Sequence, residues 1–135
     1  MYAEHLNPLD LNWRHFTLAV EPGGQTAGFA QIKTHGDGSR ELASLIVLPA
    51  WRGQGVARLL IEHLIRHEPP PLYLTCESRL VPLYRKFGFE EISPADMPPY
   101  FRRLARMVGW AMRLGRSDQR LAVMVRNSPP SIGQI

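Results

Sequence analysis

A single cysteine in 135 residues, Cys76, rules out an internal disulfide, so whatever fold forms is held by its core. No apolar run approaches the ~20 residues that a spanning helix requires. Residues 1–15 carry charged and polar groups throughout and lack the apolar stretch of a secretory signal, so a cytoplasmic location is expected. Acidic residues are in the minority, 12 against 16 basic ones, and the net charge of +4 favours anionic ligands without demanding nucleic acid. Aromatic side chains make up only 9%, and the arginines are not interleaved with them as in a nucleic-acid module, so no nucleic-acid partner is expected. The length suits one domain over residues 1–135 and is short for two separate cores; no repeat or linker divides it. Residues 1–14 are a short aperiodic start and 127–135 read as a mobile tail.

Against that background the chain has clear periodicity. Asn7-Pro8-Leu9-Asp10 reads as a turn. Alternating Phe16, Leu18 and Val20 predict a strand from His15 to Glu21, with a second over Thr26–Lys33. After the turn His35-Gly36-Asp37-Gly38-Ser39 comes a third, Arg40–Leu48, completing an antiparallel meander. The third strand becomes apolar on both faces after Glu41, the pattern of a strand covered on both sides. A helix follows over Gly55–His67, with Val56, Leu60 and Leu64 as its stripe, and stops at Pro69-Pro70-Pro71. Leu72–Thr75 should then lie parallel to the third strand, because a helical crossover joins them. A second helix, Ser78–Phe87, carries Leu80, Leu83, Tyr84 and Phe87 at helical spacing and ends at Gly88. Strands at Phe89–Ile92 and Leu121–Val125 flank a basic helix, Tyr100–Leu114, with Leu104, Met107, Val108, Ala111 and Met112 along its apolar side.

The segment "SLIVLPAWRGQGVARLL" runs from strand to helix through Gly53 and Gly55. Such a turn gathers unpaired backbone N–H groups at the positive end of a helix dipole, which is an anion site. An ATP-binding P-loop is excluded because no Lys-Ser or Lys-Thr follows. A dinucleotide fingerprint is disfavoured by Arg58, which occupies the third glycine position, where close helix–strand packing needs a small residue.

Arg52-Gly53-Gln54-Gly55-Val56-Ala57 closely resembles the acetyl-CoA loop of the GNAT superfamily, Gln/Arg-x-x-Gly-x-Gly/Ala, and "PLYRKFGF", Pro82–Phe89, resembles its LYxxxGF signature. The two stand in the family's order over about His15–Ile92. The resemblance implies an α+β, three-layer fold: a mixed, mostly antiparallel central sheet with a parallel strand pair at the cofactor site and helices on both faces. It implies an N-acetyltransferase moving an acetyl group from acetyl-CoA to an amine on a small molecule or peptide by direct attack in a ternary complex, without metal. Carried over by position, Leu45, Ile46 and Val47 would face the pantetheine, and Arg52, Gly53, Gln54, Gly55, Val56, Ala57 and Arg58 would cradle the pyrophosphate. Tyr84 matches the signature tyrosine and is the candidate acid for the departing thiolate; without the match it reads as a core tyrosine. Glu41, on the same strand face as Ala43, Leu45 and Val47, is the candidate base, against a plain reading as a solvated strand-end glutamate. The alternative is a non-catalytic module that binds acyl-CoA or a partner protein.

Other residues take plainer readings. His63 and His67 share a helix face but lack the glutamate of an HExxH motif and a third ligand, so they read as helix-end histidines. Cys76 reads as a small buried apolar residue. Glu77 departs from an asparagine common in the family, and only about fourteen residues precede the meander where the family usually has a strand and two helices; a shortened variant, a sequence that starts inside a longer gene, and a homodimer that completes the acceptor wall are the alternatives. The basic helix reads first as core-packed with a solvated face. A lid for an acidic acceptor, a dimer contact and a surface for anionic lipid are its other uses, though membrane contact is not expected.

Overall fold

A computed structural model describes residues 7–11, 16–115 and 120–127, with side chains described for 16–111 and 120–127. Among the described residues, seven strands are arranged in the order β1-β2-β3-β4-β5-β7-β6: β1 Asn7–Leu11, β2 Phe16–Val20, β3 Thr26–Thr34, β4 Arg40–Val47, β5 Leu72–Glu77, β6 Glu90–Glu91 and β7 Leu121–Arg126. Helices α1 Val56–His67, α2 Val81–Arg85 and α3 Pro99–Gly115 connect them. The sheet is mixed. β1 and β2, β2 and β3, β5 and β7, and β6 and β7 pair antiparallel, while β4 joins β5 in parallel through Glu41 and Tyr73. The β3–β4 hairpin closes where the His35 N–H donates to the Ser39 carbonyl at 2.8 Å. No described helix is long and apolar enough to cross a membrane.

The described residues fall into two compact units, one within Met1–Lys33 and Leu42–Pro69, the other within Thr34–Glu41 and Pro70–Ile135. In the first, α1 turns Val56 and Leu60 onto Ala19 of β2 and Ala27 of β3, and Leu45, Val47 and Trp51 pack against that cluster. Small residues on the strands let the helix approach closely. Gly28 takes this furthest: a Cβ there would stand 2.6 Å from the Ile46 carbonyl oxygen and 3.0 Å from a Val56 methyl. In the second unit Phe101 and Met97 bury against Val123 of β7, with Tyr73, Ile92, Tyr100 and Ala105 around them.

Four expectations are corrected. Asn7–Asp10 is not a turn but the body of β1, in register with β2 from Asn7 opposite Val20 to Leu11 opposite Phe16; β1 is an edge strand, where a proline without an N–H is tolerated. Strand β4 is not covered on both sides along its length: beyond Leu42, Ser44 is exposed and Ile46 is 43% exposed. The second helix is shorter than its apolar pattern, a 3-10 turn at Ser78–Leu80 leading into α2, and Leu83 of its stripe is exposed. On α3 the buried side is Phe101, with Leu104, Ala105 and Val108 half-buried, whereas Met107 and Ala111 face solvent; the side chain of Met112 lies outside the described residues. The N-terminal segment beyond β1 and the tail after Asn127 lie outside them as well.

Gly28→Ala should lower the unfolding free energy by about 2 kcal/mol, because rigid backbone rather than a flexible side chain must give way. Gly36→Ala, with nothing near its added Cβ, should change it by less than about 0.5 kcal/mol. Urea titration of both variants checks this, and equal effects would contradict it.

Candidate active site

The turn between β4 and α1 belongs to the first unit. Pro49–Trp51 form one 3-10 turn, closed by the Trp51 N–H on Leu48 and the Arg52 N–H on Pro49. Two left-handed glycines follow, Gly53 at φ 77° and Gly55 at φ 83°, a region that side chains with a Cβ enter only at a cost of about 1 kcal/mol or more. Main-chain bonding resumes with the Leu59 N–H on the Gly55 carbonyl at 3.0 Å. Among the described residues, the amides from Gly53 through Arg58 therefore have no main-chain acceptor. Gly55 caps α1 without a side chain, and no acidic residue stands in the first turn to neutralise the helix's positive end. Side chains stay at the margin of this cradle. Arg52 Nε reaches the Val47 carbonyl at 3.3 Å, Gln54 Nε2 donates to the Ala50 carbonyl at 3.1 Å, and Arg58 pairs with Glu62 at 3.2 Å. Gln54 Oε1 is buried with no hydrogen-bond partner among the described residues.

Upstream of the turn, Ser44 has φ 56°, a left-handed residue inside a strand. A non-glycine there marks a local departure from regular pairing, of the kind that redirects backbone groups. The sequence carries no signal for it. Leu45 and Val47 are half-buried toward the α1 cluster, and Ile46 and Leu48 present apolar surface to solvent. At the far end of α1, His67 Nδ1 donates to the His63 carbonyl at 2.8 Å and His63 is buried, an arrangement internal to the helix.

The second unit holds the remaining candidates. Tyr84 lies on α2, whose end is a left-handed Gly88 cap: the Phe89 N–H reaches back to the Tyr84 carbonyl at 3.3 Å and the Gly88 N–H to that of Arg85 at 3.0 Å. Arg126 Nε adds a bond to the Phe87 carbonyl at 3.0 Å. The Tyr84 ring meets Phe89 edge-on, and burial, with a smaller contribution from Cys76, holds its phenol above the ordinary value of 10. Cys76 is itself buried, its Sγ 4.0 Å from Met124 Sδ, and burial raises its thiol too. Glu77, exposed, is engaged by Arg79 at 2.7 Å.

Glu41 is not an open strand-end carboxylate. It is 8% exposed, and His35 Nε2 donates to its Oε1 at 2.7 Å. His35 is fixed in turn, stacked on Tyr100 with ring centroids 3.5 Å apart and edge-on to Phe101. Beside it Asp37 accepts from Ser39 and from the Tyr100 N–H at 2.9 Å, satisfying an orphan donor in the first turn of α3. Those bonds hold the Asp37 carboxyl down at about 2. Arg102 anchors the same turn through the carbonyls of Pro94 and Met97. Sequence reasoning missed His35 as the partner of Glu41, because the turn chemistry of His35–Ser39 accounted for the whole segment.

The acetyltransferase (GNAT) domain matches residues 12–91, more than half of the chain, and the chain belongs to that family. Among solved structures it is similar in fold to the N-acetylglutamate synthase of Neisseria gonorrhoeae complexed with coenzyme A and L-arginine, with a TM-score of 0.62, 20% identity, and coverage of 83% of this chain and 24% of that one. It is likewise similar to an acyl-CoA N-acyltransferase from Pseudomonas aeruginosa (0.58; 18% identity; 83% and 67% covered) and a GNAT-family acetyltransferase from Staphylococcus aureus MU50 (0.57; 18% identity; 84% and 66% covered). The chain thus spans about a quarter of the synthase and about two thirds of the others. No curated protein matches it.

Removing the His35 imidazole leaves Glu41 buried without that partner, so His35→Ala should destabilise the chain by about 2–3 kcal/mol. A double-mutant cycle with Glu41→Gln, read by urea unfolding, should show coupling above roughly 1 kcal/mol. Additive effects would mean the pair contributes nothing as a pair.

Proposed function

We propose that the chain, acting as one domain, transfers an acetyl group from acetyl-CoA to an amine acceptor by direct attack in a ternary complex. The observation that carries this reading is the run of main-chain amides from Gly53 to Arg58, without main-chain acceptors among the described residues, at a helix N-terminus with no acidic side chain in its first turn. A diphosphate needs several converging donors and close backbone approach, and two left-handed glycines supply both. Arg52 and Arg58 add positive charge. The exposed, apolar Ile46, with Leu45 and Val47 beside it, offers an arm such as pantetheine an apolar strand surface and main-chain groups to pair with.

The chemistry requires a neutral amine, and an alkyl amine near pKa ~10.4 arrives protonated. Glu41, buried and oriented by His35, is the proposed acceptor of that proton, directly or through water. The amine nitrogen then attacks the thioester carbon, the carbonyl electrons collapse onto oxygen, and a strand amide near Val47 stabilises the oxyanion. Collapse expels the coenzyme A thiolate, and the extra proton on the attacking nitrogen passes to that thiolate or to water, so that the products are the neutral amide and coenzyme A. Tyr84 is the proposed donor to that sulfur. Its raised pKa keeps the proton on the phenol throughout the neutral range, and makes it a weaker acid than a free thiol, so it acts chiefly by hydrogen bonding to the developing thiolate. The amine is carried by a small molecule or a peptide.

Calorimetry with acetyl-CoA and thiol release on a panel of amines test the assignment. Tyr84→Phe should retain binding and lose about 10²–10³-fold in kcat, the effect of removing one hydrogen-bond donor to a developing anion. Because the Tyr84 phenol stays protonated above its ordinary pKa, kcat/KM should rise with pH as the amine deprotonates and show no descending limb from Tyr84 below about pH 10. Gly53→Ala, with open space around the added Cβ, should cost about 1 kcal/mol of stability yet weaken acetyl-CoA binding about tenfold. Binding without thiol release from any amine would instead identify an acyl-CoA-binding module.

A further inference from the structure

Helix α3 has two stripes, not one. Phe101, Leu104, Ala105 and Val108 recur at i, i+3, i+4 and i+7 and face the core of their unit. Arg103, Arg106, Met107 and Trp110 recur at the same spacing on the opposite side, and all four are exposed, Met107 at 68% and Trp110 at 66%. The sequence alone assigns Met107 to the packed side. In the structure it stands outward beside Trp110, and together they are the most exposed large apolar side chains among the described residues.

We propose that this outward stripe docks the protein on an anionic lipid surface. Its chemistry is mixed in the way an interface demands. A tryptophan and a methionine offer apolar bodies that can enter the headgroup region, and two arginines bury their stems while keeping the guanidinium at the phosphates. The whole of Pro99–Gly115 contains no acidic residue, and neither Arg103 nor Arg106 has an ion-pair partner among the described residues, so both are available to an anion. Arg102, by contrast, is committed to main-chain carbonyls. The face is the convex side of a single helix with side chains standing out from it. A fluid bilayer can close around such a shape without a preformed complement. A second copy is disfavoured by charge, because two acid-free helices meeting face to face would oppose arginine to arginine. Asp37 and Arg102 fix the first turn of α3, so the stripe is presented in a set direction within its unit.

The test uses the full chain and sedimentation with vesicles of phosphatidylcholine alone or with about 30% phosphatidylglycerol, at low and at roughly 0.5 M salt. Binding should require the anionic lipid, fall with salt, and drop roughly 30-fold in Arg103→Gln/Arg106→Gln. Met107→Ser/Trp110→Ser should also weaken it, while Arg79→Gln, an exposed arginine on another element, should leave it unchanged. A blue shift of emission on binding should disappear in Trp110→Phe. All the substituted positions are exposed, and circular dichroism of each variant checks that it folds. Failure to sediment, equal binding to both vesicle types, or full binding by the double variants would overturn the proposal. So would a concentration-dependent dimer broken by Trp110→Ser, or capture of polyglutamate with no response to vesicles, which would assign the face to a second copy or to an acidic protein. Acetyl-CoA binding is measured separately and decides the enzymatic reading on its own.

Discussion

The central physical constraint is a stretch of backbone that cannot satisfy itself. Between the Arg52 N–H, bonded to Pro49, and the Leu59 N–H, bonded to Gly55, the chain turns through two left-handed glycines and leaves consecutive amides without main-chain acceptors among the described residues. Water can serve them, but so can an anion, and the anion gains from the dipole of a 12-residue helix with no carboxylate in its first turn. Much of the first unit's packing follows from holding this geometry. Val56 and Leu60 pin the start of α1 to β2 and β3, and Gly28 leaves just enough room for the backbone of β4 to pass.

The second unit shows a different logic, in which polar groups are sequestered in pairs. Glu41 is buried against a half-buried His35, His35 is clamped by aromatic rings, and Asp37 ties the β3–β4 turn to the first turn of α3. A buried carboxylate with a single oriented partner is an expensive arrangement for stability alone, since well-packed apolar residues usually do as well. It sits at the β4–β5 pairing, where Glu41 lies opposite Tyr73. The Tyr84 phenol is treated in the opposite way, desolvated so that it keeps its proton.

Much of this was legible in the residues. The turn from strand to helix could be read because glycine spacing and helical periodicity are local, and the cap at Gly88 for the same reason. Elements whose state depends on partners were harder. Asn7-Pro8 has turn chemistry, yet an edge position makes it a strand. Leu42–Leu48 is apolar at every position but Ser44, so its pattern could not say that Ile46 would be exposed, nor that Ser44 would turn left-handed. On α3, Met107 fits either stripe by spacing, and only packing on β7 decides between them. The Glu41–His35 pair joins the two sides of a hairpin turn, and turn residues alone do not announce which side chains fold inward.

In the proposed acetyltransferase, main-chain amides rather than side chains would hold the diphosphate. Backbone amide resonances followed by NMR through a coenzyme A titration test it most directly. The largest saturable shifts are expected at Gly53 through Arg58, with protection from solvent exchange growing in the same residues. Saturable binding that moves amides elsewhere and leaves that stretch unchanged would contradict it.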